Sequence, residues 1–277
     1  VTSRLGTWAD ALDLVHDGGV LGVGGAGLSR KPVRAILEIA RAGRRDLDLV
    51  SFVAGIEVEV LLAAGALRSV TASYVGLGLH GRAARFTEAV AEGAVDDREM
   101  SEWMLVGGLR AAAMGVPFLP TRAGLGSDLP PARDLRTVRD PYGGEEFLAV
   151  PALRPDVAII QAWRADATGN VQFPWPPDHL WDVDVLLARA SRSVVVCAEE
   201  VVDPETVVRD AHLTRLAGFE VTCVVPAPGG SWPTAFPPLR GEDAAWLHDN
   251  ARDPGGMLLA GSFRPAVHSS TRGEDTR

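Results

Sequence analysis

Lysine is almost absent from this chain of 277 residues: Lys31 is the only one, so arginine carries nearly all of the positive charge. The overall balance is acidic. A formal net charge of −9 argues against a protein that grips a phosphate backbone, because that attraction needs a basic surface; nucleic acid is not expected as a partner. Cysteine is also scarce. Cys197 and Cys223 both sit in apolar runs, where a thiol behaves as a small hydrophobe, and they supply neither a disulfide framework nor a metal spacing. The histidines are scattered, so no metal site is expected. No apolar run approaches the roughly 20 residues needed to span a bilayer, and no membrane partner is expected. The opening stretch VTSRLGTWADALDLV lacks the apolar core of a signal peptide, which makes a cytoplasmic location the expectation. Also missing are the dinucleotide fingerprint, a Walker lysine after the glycines, a serine in a nucleophile elbow, and any internal repeat.

What is present is a sustained alternation of strand-like and helix-like segments, which predicts an α/β fold with a mostly parallel sheet flanked by helices. A helix is expected over Trp8–His16 with Thr7 as its N-cap, then a strand over Val20–Val23. Pro32 opens the next helix, whose Val33, Ile36, Leu37 and Ala40 recur at helical spacing before Gly43. Further strands are expected at Leu47–Val53, Ser69–Val75, Val116–Leu119, Phe147–Val150, Val157–Gln161, Val171–Phe173, Ser193–Ala198 and Glu220–Val225. Helices are expected at Glu57–Ala64, Ala83–Ala91, from a Ser101 cap through Met114, and at Val183–Ala190. Residues 130–145 look like an excursion, and no regular element is secure after Pro226. The expected organisation is one domain over residues 1–265 and a polar tail over 266–277.

Two loops stand out. In GVGGAGLSRKP (Gly22–Pro32), Gly24 and Gly25 allow a ligand to approach the backbone and permit φ > 0; Arg30 and Lys31 add positive charge at a helix start. A purely structural turn explains the same glycines equally well. In VPFLPTRAGLGSDL (Val116–Leu129), Arg122 follows a strand end, suited to clamping a carboxylate or thioester. The Gly124–Ser127 backbone, including Gly126 and Ser127, can donate to a developing oxyanion. Glu102 lies in the first turn of a helix, where the macrodipole alone accounts for a carboxylate; beside Trp103, burial would instead raise its pKa towards general-base duty. His80, on a glycine-rich loop, is the histidine to place near a ligand. Asp166 and Asn170 in ADATGN read as the fixings of a tight turn.

Taken together, GGAGLSRKP, SYVGLGLHG, GLRAAAMGVPFLPTRAGLGSDL, VPALRPDVAIIQAWRADATGNVQ and LLARA resemble the α subunit of class I coenzyme A transferases of the glutaconate CoA-transferase type. The resemblance runs in order from about Val20 to Val225. It implies the CoA-transferase superfamily fold, an acyl-CoA substrate with coenzyme A as co-substrate and no permanently bound cofactor. It also implies a separate β subunit, in a heterodimer or α2β2 assembly, that carries the nucleophilic glutamate. Glu57 is a formal nucleophile candidate in this chain, though helix-start electrostatics accounts for it. The first loop departs from the family pattern: Gly24-Gly25-Ala26 stands where Gly-Gly-Phe is usual, and Arg30 where a glycine often precedes X-Pro. Around Arg30-Lys31-Pro32, Glu99-Met100 and Glu102 the chain is similar to the steroid-ring-opening CoA hydrolase branch, which implies a catalytic role for Glu102. Three readings follow: CoA transfer between carboxylic acids, C–C hydrolysis or decarboxylation of an acyl-CoA on the same scaffold, and a non-catalytic subunit binding CoA or a sugar phosphate.

Overall fold

The computed structural model describes residues 3–265; the polar tail expected at 266–277 lies outside the described residues. In chain order the elements are α1 (Trp8–Leu12), β1 (Val20–Ala26), α2 (Val33–Arg41), β2 (Leu47–Ala54), α3 (Ile56–Ala63), β3 (Leu67–Thr71), β4 (Tyr74–Val75), α4 (Ala84–Ala91), β5 (Asp96–Asp97) and α5 (Glu102–Ala113). There follow β6 (Phe118–Thr121), α6 (Leu129–Ala132), β7 (Arg136–Arg139), β8 (Glu146–Pro151), β9 (Val157–Asp166), β10 (Val171–Gln172), α7 (Trp181–Ala190) and β11 (Ser193–Val202). The last are α8 (Pro204–Arg209), β12 (Thr214–Leu216), β13 (Cys223–Pro226), α9 (Ala244–Asp249) and α10 (Pro254–Met257).

Seven strands lie in the parallel order β5-β3-β2-β1-β9-β11-β13. Beyond the point where β1 ends, β10 turns back antiparallel against the upper part of β9, and β12 pairs with β10. Strand alternation explains the two-sided core. On one face Leu21, Val23, Leu47, Leu49, Val157 and Ile159 meet α2 and α3; on the other Val50, Phe52 and Ala158 meet α5 and α7. Helix α2 shows the local logic: Val33, Ile36, Leu37 and Ile39 are buried while Arg41 is exposed at its end. Each large apolar side chain so buried stabilises the fold by about 1.5–3 kcal/mol relative to exposure. The excursion over 130–145 contributes β7 to a second, separate sheet, β6-β8-β7, antiparallel throughout, in which the strands expected at Val116–Leu119 and Phe147–Val150 also lie and whose Leu148 and Val150 face inward.

Several boundaries differ from the sequence expectation for identifiable reasons. Helix α1 stops at Leu12, because the chain tightens there into i−3 bonds from Leu14 and Val15. The strand expected over Ser69–Val75 breaks in two where Ser73 N–H turns to donate to Phe52 O at 3.1 Å. Strand β6 starts at Phe118 because Val116 N–H still closes the end of α5 on Ala111 O. After Pro226, Asp243 and Asp253 cap two short helices that no apolar periodicity announced.

Candidate active site

In a parallel sheet, ligands bind outside the carboxyl ends of the strands where the order of connection reverses. Here that point lies between β1 and β9: from β1 the chain proceeds through β2, β3 and β5 to one side, and β9, β11 and β13 fill the other. The carboxyl end of β1 is the first glycine run. Its glycines prove to serve packing more than ligand approach. Gly22 and Gly24 share the face covered by α7, and a Cβ on Gly22 would stand 3.0 Å from Leu187 Cδ1, one on Gly24 2.9 Å from Ile160 Cγ2. At Gly25 (φ +77°) a Cβ would meet Ser29 O at 2.5 Å, so the chain can reverse there only without a side chain.

The turn also keeps its charges to itself, contrary to the expectation for Arg30 and Lys31. Arg30, with a left-handed backbone (φ 54°), is fully buried. Its Nε donates to Asp184 Oδ2 at 3.2 Å, its Nη1 to His179 O at 3.2 Å and also to Asp178. Asp184 in turn accepts from Gly25 N–H at 2.7 Å, and burial, partly opposed by Arg30, pushes its carboxyl above the usual range. Lys31 is equally buried, its ammonium donating to Gly25 O (3.1 Å), Ser51 Oγ (2.9 Å) and Glu57 Oε1 (2.6 Å). These cations are oriented inward by physical necessity, since a buried charge is tolerable only when paired and hydrogen-bonded. They hold the turn and are not presented to solvent. The N–H groups of Gly25, Ala26, Gly27, Ser29 and Arg30 are all engaged within the chain, leaving Leu28 N–H with no acceptor among the described residues.

The second loop is exposed. Arg122 pairs with Glu145 and lies over the Phe147 ring, 5.4 Å from its centroid. Ser127 Oγ donates to Gly124 O at 2.8 Å, while Leu125 and Ser127 N–H close the turn on Arg122 O and Gly124 O. Gly124 and Gly126 N–H have no acceptor among the described residues, and Gly126 (φ 77°) faces open space. Met104 of α5 underlies this loop, 3.1 Å from where a Gly124 Cβ would stand. Ala26 beside the first turn and Ala123 beside Arg122 border the same hydrophobic cluster as Phe52, Met100 and Met104.

Glu102 is the first residue of α5, capped by Ser101 Oγ, which accepts from Met104 N–H at 3.2 Å. It is exposed, as is Trp103 at 63%, so the expected burial against the tryptophan is absent. The side chain of Trp103 instead turns outward, toward Arg110. His80 Nε2 lies 3.0 Å from Glu242 Oε1, in a short turn that also exposes Leu79 completely. Sequence reasoning missed Asp184. Its signal was present: Asp184, Leu187 and Ala188 stand at i, i+3 and i+4, which places the carboxylate on the buried stripe of α7.

An α/β sheet whose connection order reverses beside a glycine-rich turn belongs to the class of folds that bind ligands at such a point. Within that class the particular assignment comes from comparison: residues 6–215 match the family model for coenzyme A transferase, and the chain belongs to that family. An uncharacterized protein of Archaeoglobus fulgidus is 34% identical over 231 residues; the match takes in 82% of this chain but only 50% of that protein, so this chain spans half of its length. The cholesterol ring-cleaving hydrolase IpdA subunit of Mycobacterium tuberculosis is 34% identical over 244 residues, covering 84% of this chain and 82% of the relative. Among solved structures, a variant of the decarboxylase AibA/AibB is similar with a TM-score of 0.82 at 31% identity, over 93% of this chain and 97% of that one. Glutaconate coenzyme A-transferase of Acidaminococcus fermentans is similar with a TM-score of 0.85 at 27% identity, over 93% and 87%.

Proposed function

We propose that this chain is the α subunit of a heteromeric enzyme that transfers CoA between carboxylic acids, acting on an acyl-CoA thioester with the nucleophilic glutamate on a β subunit. The observation that carries this reading is the commitment of the buried glutamates. Glu57 accepts from Lys31, from Ser51 Oγ at 2.8 Å and from Gly55 N–H at 3.1 Å; Glu59 accepts Arg85 and Phe86 N–H at 3.2 and 3.0 Å. Neither is available to attack a thioester. What the chain offers is a set of unengaged N–H groups, at Leu28, Gly124 and Gly126, suited to a developing oxyanion, and the Arg122 guanidinium, suited to a carboxylate. Gly24 and Gly25 contribute by shaping the turn, and His80 stands at its margin. The names of relatives as A subunits and of a paired AibA/AibB assembly support a companion chain. Purified alone, the chain should show no CoA exchange between a radiolabelled carboxylate and an acyl-CoA. Adding the β subunit should restore it, and full activity from the lone chain would reject the proposal.

A second reading, C–C hydrolysis or decarboxylation of an acyl-CoA, is favoured by one specific observation: Glu102 is an exposed carboxylate at a helix N-terminus that makes no ion pair among the described residues. In this reading Glu102 is the catalytic base or positions water. Glu102→Gln then abolishes turnover in the two-chain enzyme. In the transferase reading the same variant retains CoA exchange, and borohydride traps a glutamyl thioester on the companion chain.

A further inference from the structure

A cleft of about 500 Å³ opens along the sheet edge, lined by neither glycine-rich turn. Its lining comes from Asp96 of β5 with Arg98 and Met100 just after it, from α6 and its exit through Arg133 to Leu135, and from Leu153 after β8. Met100, Leu135 and Leu153 give the lining an apolar part, and the volume suits a small metabolite. The charged groups at the rim are unevenly matched. Asp96 Oδ2 accepts from Arg98 Nε at 2.8 Å, a guanidinium it shares with Asp48, and Asp134 is taken by Arg136 at 2.9 Å, so both rim carboxylates already face a cation. Arg133 differs. Its Nε and Nη2 donate to backbone carbonyls, Glu99 O at 3.2 Å and Asp97 O, which fix the guanidinium plane with no direct hydrogen bond to a carboxylate among the described residues, while the Asp97 carboxyl beside it feels its charge. The nearest carboxylate oxygen paired with it, Asp96 Oδ1, stands 4.0 Å from Nη1. A guanidinium held in place by carbonyls is a preorganised partner for a planar anion.

We propose that this cleft binds an amphipathic carboxylate, its hydrocarbon body on Met100, Leu135 and Leu153 and its carboxylate on Arg133. The proposal does not depend on the reaction assigned above, because it is read from binding to the purified chain. Octanoate is the probe, with 1-octanol and octylammonium as partners of matched chain length, each titrated calorimetrically. Octanoate binds at least tenfold more tightly than either. Arg133→Gln removes that preference and leaves the octanol affinity in place, whereas Arg133→Lys keeps only part of it, because an ammonium lacks the planar fork. Ala132→Trp, on the exposed rim of the cleft, weakens octanoate binding tenfold or more and tests the same assignment without touching the guanidinium. The proposal is overturned if octanoate binds no more tightly than octanol or octylammonium, or if Arg133→Gln and Ala132→Trp both leave octanoate affinity unchanged.

Discussion

Lys31 Nζ sits 2.6 Å from Glu57 Oε1, and both side chains are wholly buried. The ammonium's three donors are all matched, by Gly25 O, Ser51 Oγ and Glu57, and the second glutamate oxygen takes Gly55 N–H. One ion pair therefore ties the carboxyl end of β1 to the carboxyl end of β2, and the chain's only lysine is a fastener beneath the candidate site. Removing one member of such a pair leaves the other charge buried without compensation, at a cost of about 3–5 kcal/mol. Lys31→Met should show a loss of that size in urea unfolding. Lys31→Met combined with Glu57→Leu should be less destabilised than the lysine variant alone, because the stranded carboxylate is gone. A double variant as unstable as the sum of the two singles would show that the pair is not coupled.

The backbone requirement at the first turn separates two glycines that look alike in sequence. Both Gly25 and Gly27 have positive φ, 77° and 56°. A side chain on Gly25 would strike Ser29 O at 2.5 Å, whereas one on Gly27 meets only Val53 Cγ1 at 3.8 Å. Gly27→Ala should cost about 1–2 kcal/mol, the usual penalty for an L-residue in the left-handed region. Gly25→Ala should cost clearly more, since the turn itself must open. Thermal unfolding of the two variants checks the order, and equal losses would contradict it.

How much of this is readable beforehand follows from which interactions are local. Thr7 and Ser101 as helix caps, the apolar stripe of α2 and the Asp166–Asn170 turn depend on near neighbours in the chain, and the structure has them where the sequence puts them. The inward turn of Arg30 and Lys31 is not readable, because their partners Asp184 and Glu57 are 154 and 26 residues away and a positive charge near glycines looks the same whether it faces a ligand or a carboxylate. Gly22 and Gly24 mislead for a related reason: tolerance of close approach says nothing about whether a ligand or α7 does the approaching. The exposure of Glu102 is equally hidden, since an adjacent tryptophan reads as a source of burial and the Trp103 ring points outward.

The Asp166 turn makes the fold sensitive to acid. Its carboxylate accepts four hydrogen bonds, from Thr168 N–H (2.9 Å) and Oγ1 (2.7 Å) and from Asn170 N–H (3.0 Å) and Nδ2 (2.8 Å). Burial works against the charge, yet the bonds from Asn170 and Thr168 outweigh it and hold the carboxyl below its usual range. A folded pKa below the unfolded one means stabilisation that is complete above the unfolded value, near 4, and is lost as pH falls through the folded value. Asp166→Asn should remove that part of the acid limb in stability measured from about pH 6 down to about pH 2, and Asp166→Ala should cost about 2–4 kcal/mol at neutral pH. An unchanged acid limb would mean that other carboxylates dominate it.

Arg122 offers the opposite case, a charge whose loss should be felt in function and not in folding. Its guanidinium is 67% exposed and its partner Glu145 49%, and such pairs add little to stability because water and salt screen them. Arg122→Ala should therefore leave the unfolding midpoint within error of the parent. In the two-chain transferase proposed above, the same change should raise KM for the carboxylate or acyl-CoA and lower kcat/KM, with Arg122→Lys recovering only part, because an ammonium cannot reproduce the paired geometry of a guanidinium on a carboxylate. Glu145→Gln discriminates between a clamp and an internal tie: if Arg122 serves the substrate, freeing it from Glu145 preserves or improves kcat/KM. A loss of activity equal to that of Arg122→Ala would show instead that the pair acts only to hold the loop, and would remove Arg122 from the substrate-binding set.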